Sequence, residues 1–254
     1  MLLRIPFTLL DLLQRPFVQR ARKHPRSIVV IKPCCLGDLV MTTPLLEVLR
    51  QNYPQATISY VAGSWSKVIV EHQESVDNVI DCGSVGIPGR YRLKDYFQLA
   101  RMLRRKHFEL AFVLDRSPLL TLLPWLAGVP RRVGPDSLGR GFSLTDRVAV
   151  SSSPDQLQHQ AEIYLDLARA LRLKIGEPHM HFVPTEAERR SIVKAERPQV
   201  AVFVGGGSNP GMDLTAKRWP LPRYKELVSR LANERNVQVL LIGGPGDAEL
   251  TGEI

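Results

Sequence analysis

From Ser27 onward, short apolar runs rich in β-branched residues alternate with longer stretches whose apolar positions recur every three or four residues. The first pattern marks buried strands and the second amphipathic helices. Strands are predicted at 27–32, 57–62, 78–81, 110–114 and 131–134. Helices are predicted at 38–51, about 65–72 and 94–106. Strands that alternate with helices imply a parallel sheet covered on both faces. In such sheets ligands gather at the carboxyl ends of the strands. Gly37-Asp38 falls at the end of the first strand and Asp115 at the end of another.

Residues 134–153 are rich in Gly, Ser and Asp and read as a long loop, with a short strand near 147–150. A helix is predicted at 159–173, where Ile163, Leu167, Ala170 and Leu171 form one face. Gly176, Pro178 and Pro184 mark a link between domains. A second α/β pattern follows. It has a charged helix at 185–196 with Thr185 as N-cap and a strand at 199–204. A helix at 221–235 with Pro222 in its first turn leads to a strand at 237–242. Two strands are too few for a free-standing doubly wound domain. The expected division is a 1–24 amino-terminal segment, a 25–175 first domain and a 176–254 partial second domain.

Charge changes the reading of the amino-terminal segment. The chain has 254 residues, 34 Lys+Arg against 25 Asp+Glu, and a formal net charge of +9. Six of the bases precede Ser27, against the single acid Asp11. Apolar residues from Leu2 to Val18 followed by bases suit neither a signal peptide nor a transmembrane helix. Two readings stand: an interfacial amphipathic helix on anionic headgroups, or a helix packed on the domain. The body is only mildly basic and lacks zinc-finger spacing or interleaved aromatic and basic residues, so no nucleic-acid partner is expected. The three cysteines, Cys34, Cys35 and Cys82, are odd in number and two are adjacent. A disulfide framework is therefore not expected, and a reducing compartment is the simpler account. No His/Cys cluster has metal spacing, so no metal site is expected.

Several residues have chemistry to offer. Asp38 is either a helix cap or a general base for a sugar hydroxyl. Gly37 beside it lets a ligand approach the backbone closely. The run 205–208 with Lys217 presents backbone N–H groups and an ammonium suited to a diphosphate, but it is not a GxxxxGK[ST] loop. An ordinary glycine-rich turn is the competing account, there and at 243–247. Arg131, Arg132 and Arg140 border the glycine-rich loop and suit a phosphorylated acceptor, or a solvated loop.

The segments IKPCCLGDLVMTTPLLEVLRQNYPQATISYVAG and AKRWPLPRYKELVSRLANERNVQVLLIGGPGD together resemble glycosyltransferase family 9, the ADP-heptose:lipopolysaccharide heptosyltransferases. VGPDSLGRGFSLTDRV and HQAEIYLDLARAL between them are also similar. The resemblance implies an α/β fold of GT-B type, with two Rossmann-like doubly wound domains facing across a cleft, the second incomplete in this chain. It implies inverting, metal-independent transfer of heptose from ADP-heptose to the inner core of lipopolysaccharide or a related lipid-linked saccharide acceptor. Asp38 would be the general base. Gly207, Ser208, Lys217 and Gly244 would bind the donor. Gly37, Asp115, Arg131 and Arg140 would lie on the acceptor side. No cofactor is implied beyond the nucleotide-sugar co-substrate. The implied location is cytoplasmic, peripheral to the inner membrane and touching its anionic surface. The family's later Asp-Ser/Thr-Gly-x-x-His segment is not found before Ile254, so a carboxyl-terminally incomplete chain is expected. The alternatives are an inactive acceptor-binding module at the membrane surface, or a GT-B enzyme with another nucleotide sugar.

Overall fold

A computed structural model describes residues 24–87, 89–151, 158–191, 196–206, 208–209, 212–213, 215–235 and 237–254. Most of the proposed 1–24 segment, and Gly207, lie outside the described residues. The chain divides into two compact units at Pro184/Thr185.

The first unit is built on six parallel strands: β1 (Ser27–Ile31), β2 (Thr57–Ala62), β3 (Asn78–Asp81), β4 (Leu110–Val113), β5 (Arg131–Asp136) and β6 (Asp146–Ala149). Their spatial order is β3-β2-β1-β4-β5-β6, that of a Rossmann-type doubly wound sheet. β1 suits the central position because its Ile28–Ile31 run is apolar and fully buried, as a strand covered on both faces requires. Its side chains alternate between two cores. Ile28 and Val30 pack with α2 (Thr43–Asn52) and α5 (Gln160–Ala170). Val29 and Ile31 pack with α3 (Leu93–Arg105) and α4 (Pro118–Leu126). A short helix, α1 (Leu36–Val40), leaves the end of β1 before α2.

Three local expectations change. The 65–72 stretch forms a 3-10 turn over Lys67–Ile69 with bends around it. The region read as a loop from 134 begins inside β5, which runs to Asp136 and pairs with β6. Residues 176–184 pack on the first unit: the His181 N–H donates to Thr43 Oγ1 at 3.1 Å, and the His179 N–H to Glu47 Oε2 at 3.4 Å.

The second unit has a parallel pair, β7 (Gln199–Phe203) and β10 (Gln238–Ile242). Between them come a two-residue antiparallel pair, β8 (Ser208–Asn209) and β9 (Met212–Asp213), and the helix α7 (Leu221–Glu234). The unit begins with α6 (Glu186–Ser191) and ends with α8 (Ala248–Glu253). Thr185 and Glu188 exchange capping hydrogen bonds, so Thr185 caps α6. Val202, Val204 and Tyr224 form a small core.

The loop after β1 is held from the side by β2. The Pro33 carbonyl accepts the Gly63 N–H at 3.0 Å and the Ser66 hydroxyl at 2.8 Å. A Cβ at Gly63 would lie 2.7 Å from that same carbonyl oxygen. Gly63→Ala is expected to lower stability by about 1–3 kcal/mol, as overpacking against backbone does, measured as a lower urea midpoint with unchanged slope.

Candidate functional site

The Rossmann order reverses between β1 and β4, and the crevice there is the expected ligand position. Lys32 follows β1 directly. Its N–H donates to the Val61 carbonyl, and the Leu114 N–H donates to the Ile31 carbonyl. The backbone is thus clamped on both sides where the Lys32 side chain begins. Its ammonium lies 3.1 Å from Asp38 Oδ2 and 3.1 Å from Asp115 Oδ2. Asp115 reaches this point from the end of β4, and its other oxygen accepts the Ser117 N–H at 2.8 Å. Asp38 reaches it from α1. Gly37 belongs to that helix rather than preceding it, and a Cβ there would meet nothing within 4 Å.

Asp38 lies in the first turn of α1 but is not its N-cap. The N-cap of α1 is Cys35, with no side-chain capping bond. The Asp38 carboxylate faces the Lys32 ammonium and keeps 37% of its side chain exposed. Burial alone would lower the Lys32 pKa, but Asp115, Tyr164 and Asp38 overcome that and hold it above its ordinary value. The ammonium therefore stays charged. Below it, the Thr42 hydroxyl donates to the Leu39 carbonyl at 2.7 Å and meets the Tyr60 hydroxyl at 3.1 Å, anchoring the end of α1.

Tyr164, on α5, was not singled out by sequence. Its ring is fully buried, and among the described residues its hydroxyl has no hydrogen bond of ordinary geometry. Burial pushes its pKa up to about 12, with Lys32 acting in the opposite sense. Lys32 was also missed. The signal available was a lysine closing an otherwise apolar strand, where a charge needs a buried partner.

The remaining first-unit candidates are placed differently. Arg131 forms a two-pronged pair with Asp146 at 2.9 and 3.1 Å, linking β5 to β6. Arg132 is buried and donates to the carbonyls of Ser143, Val129 and Pro130. Arg140 is exposed, with its carbonyl accepting from Thr121. Cys34 and Cys35 are joined to each other by a disulfide across a cis peptide bond, a local link that the case against a disulfide framework did not anticipate. Counting cysteines tests for bonds between distant segments, and a bond between neighbours closes no such loop. Cys82 is free and buried; burial, then Asp81, pushes its thiol up to about 12.

In the second unit, Lys217 ends a 3-10 turn and is exposed. The next residue carries the local framework. Arg218 Nη2 lies 3.0 Å from Asp247 Oδ1, and Asp247 Oδ2 accepts the Gly244 N–H at 2.9 Å. A Cβ on Gly205 would fall on that same carboxylate, 2.7 Å from Oδ1. Asp247 thus ties the turn after β10 to the Lys217 segment and packs closely on Gly205 in the turn after β7. It was read in sequence only as part of a glycine-rich turn. For Ser208 the structure describes only the backbone, in β8. Among the described residues no group of three His, Cys, Asp or Glu side chains could hold a metal ion.

The first unit's sheet, its switch-point carboxylates and the second parallel α/β unit define an α/β protein of GT-B type whose second Rossmann-like domain is present in part. The chain belongs to glycosyltransferase family 9 (heptosyltransferase), whose profile matches residues 96–253. It is 29% identical over 242 residues to lipopolysaccharide heptosyltransferase 2 of Escherichia coli K12, covering 90% of this chain and 66% of that protein. The same figures, 29% over 246 residues with 90% and 66% coverage, hold for lipopolysaccharide heptosyltransferase 2 of Salmonella typhimurium LT2. The solved structure of E. coli ADP-heptose lps heptosyltransferase II is 27% identical, with a TM-score of 0.69 over 89% of this chain and 67% of that one. The chain thus spans slightly less than two thirds of the length of these curated relatives.

Removing the shared cation leaves two carboxylates without a counter-charge. A buried pair so broken costs about 3–5 kcal/mol, but both carboxylates are partly exposed here. Lys32→Met is therefore expected to lower stability by about 1–3 kcal/mol, read from urea unfolding of the variant against the parent. Tyr164 provides a pH test. A free phenol ionises near pH 10, whereas Tyr164 in the folded state does so at about 12. Its contribution is fully present below the unfolded value and is lost as pH rises through the folded one. Tyr164→Phe is expected to reduce the fall in stability between about pH 9 and pH 11, measured by urea unfolding at both values.

Proposed function

We propose that this chain contributes the acceptor domain and part of the donor domain of an inverting, metal-independent heptosyltransferase. It moves heptose from ADP-heptose to the inner core of lipopolysaccharide or a related lipid-linked saccharide. The observation that carries this reading is the Asp38 carboxylate at the sheet's switch point. It is half-exposed, uses neither oxygen as a helix cap, and is aimed by a buried ammonium. A base that must take a proton from a bound hydroxyl needs that combination of access and fixed direction.

In this mechanism Asp38 takes the proton of the acceptor hydroxyl as its oxygen forms a bond to the anomeric carbon of heptose. The bond from that carbon to the diphosphate breaks, and ADP leaves with the electron pair. Lys217 and the backbone N–H groups of residues 205–208 meet the charge developing on the diphosphate. Gly244 belongs to the same donor-side set. Lys32 acts through Asp38 as a positioning residue, with Asp115 as the second anchor of its ammonium. Gly37 leaves room beside the base, and Arg140 and Arg131 are the acceptor-side cations. Arg140 is the stronger candidate of the two because Arg131 is already paired with Asp146. The name of the relative with a solved structure supports ADP-heptose as donor. The proposed location is the cytoplasmic face of the inner membrane, with the basic amino-terminal segment on anionic headgroups. No helix among the described residues is long and apolar enough to cross a membrane.

One observation favours a second reading. The second unit's parallel sheet has two described strands, and the chain spans 66% of its curated relatives. On that reading the chain binds acceptor at the membrane without transferring sugar. A third reading keeps the fold and changes the donor. Calorimetry with ADP-heptose and with a UDP-sugar separates them. Binding of ADP-heptose is expected, and is expected to weaken in Lys217→Ala. Binding of neither favours the second reading, and binding of the UDP-sugar alone favours the third. Asp38→Ala is expected to lower transfer by about 10^2–10^4-fold with an unchanged circular dichroism spectrum. Retained turnover would remove Asp38 from the mechanism.

A further inference from the structure

The helix α3 shows two faces. Tyr96, Leu99, Ala100 and Leu103 are buried against the sheet. Phe97, Arg101, Arg104 and Arg105 follow helical spacing on the other side and face solvent. Residues 90–106 hold seven bases (Arg90, Arg92, Lys94, Arg101, Arg104, Arg105 and Lys106) against one acid, Asp95. Asp95 is engaged by Arg92. Arg101, Arg104 and Arg105 make no ion pair among the described residues.

Apolar side chains accompany this charge. Leu93 is 70% exposed and Phe97 56%. Leu119 and Trp125 on α4 are 45% and 41% exposed. The two helices are joined by the Tyr96 hydroxyl, which donates to the Leu119 carbonyl at 2.7 Å. A shallow groove of about 540 Å3 is lined by Phe97, Arg101, Arg104, Arg105, His107 and Leu126. Bases in the last turn of a helix also complement its dipole, which accounts for Arg104 and Arg105. It does not account for Arg101, Lys94 or the exposed Leu93 and Phe97.

We propose that the exposed face of α3, with the adjoining face of α4, is a membrane-contact surface that docks on a bilayer of anionic phospholipid. Cationic side chains beside exposed aromatic and aliphatic ones match headgroup phosphate and the acyl boundary together. A nucleic acid would pair with the arginines but leave Leu93 and Leu119 in water. The amino-terminal segment of this chain is a poor occupant, because its six bases against one acid repel a face of the same sign. The proposal extends the membrane part of the proposed function and does not depend on the transfer chemistry.

The test is co-sedimentation of the full chain with phosphatidylcholine vesicles, with and without phosphatidylglycerol. Binding to the anionic vesicles alone, weakened by salt, is expected. Each base near an anionic surface contributes enough that changing Arg101, Arg104 and Arg105 together to Gln should weaken partition on the order of 100-fold. Phe97→Ser with Leu93→Ser should weaken it in a way that salt does not mimic. These positions are exposed, and an unchanged circular dichroism spectrum confirms folding. A companion variant with Arg20, Arg22 and Lys23 changed to Gln tests the amino-terminal segment separately. If the companion loses binding while the arginine variant matches the parent, the amino-terminal contact stands and the α3 face is overturned. Failure of the parent to bind anionic vesicles overturns both. Tighter binding to single-stranded RNA than to anionic vesicles, lost in the arginine variant, overturns the lipid assignment in favour of nucleic acid.

Discussion

A single ammonium between two carboxylates organises the carboxyl edge of the first sheet. Lys32 is almost fully buried, and a lone buried charge would be costly. Its partners come from separate elements: Asp38 from the short helix after β1, and Asp115 from the end of β4. The order β2-β1-β4 makes this possible, because it places the ends of β1 and β4 side by side. Around the trio, Pro33 is held by Gly63 and Ser66, and the end of α1 by Thr42 and Tyr60. The proposed base is thus fixed through charge, while its remaining surface stays open to solvent.

The second unit solves a similar problem with the opposite sign at its centre. Asp247 is buried, and it joins Arg218 to the backbone of Gly244. Gly205 has no side chain because the Asp247 carboxylate occupies that space. This arrangement orders the turn beside Lys217 without using the Lys217 ammonium, which stays exposed. In both units a largely buried ionic contact, Lys32 with its two carboxylates and Arg218 with Asp247, fixes the local backbone. Such pairs contribute little net stability compared with apolar packing. Their value here is in geometry.

Charge on this chain is concentrated in two stretches. The first 26 residues and residues 90–106 together carry more positive charge than the chain's net +9, so the rest is slightly acidic. Counting the whole body as mildly basic hides the second stretch. Helical spacing gathers its bases onto one side of α3, next to aromatic and aliphatic groups that the core does not cover.

Periodicity by itself determined the alternation of strands and helices, the parallel sheet and the candidacy of Asp38 and Asp115. Those features depend on local apolar spacing and on where a strand ends. It also placed Pro222 in the first turn of α7 and Thr185 at the start of α6, because capping is a contact between near neighbours. Tertiary structure decided the rest. The pairing of Asp38 depended on Lys32, and Lys32 found its second partner in Asp115, 83 residues away. Arg131 and Arg132 proved to be tied to Asp146 and to backbone carbonyls through pairings between β5, β6 and their loops. The roles of Tyr164 and Asp247 were likewise invisible in order along the chain. Electrostatic partners are chosen by proximity in space, and sequence spacing reports proximity only within one helix or strand.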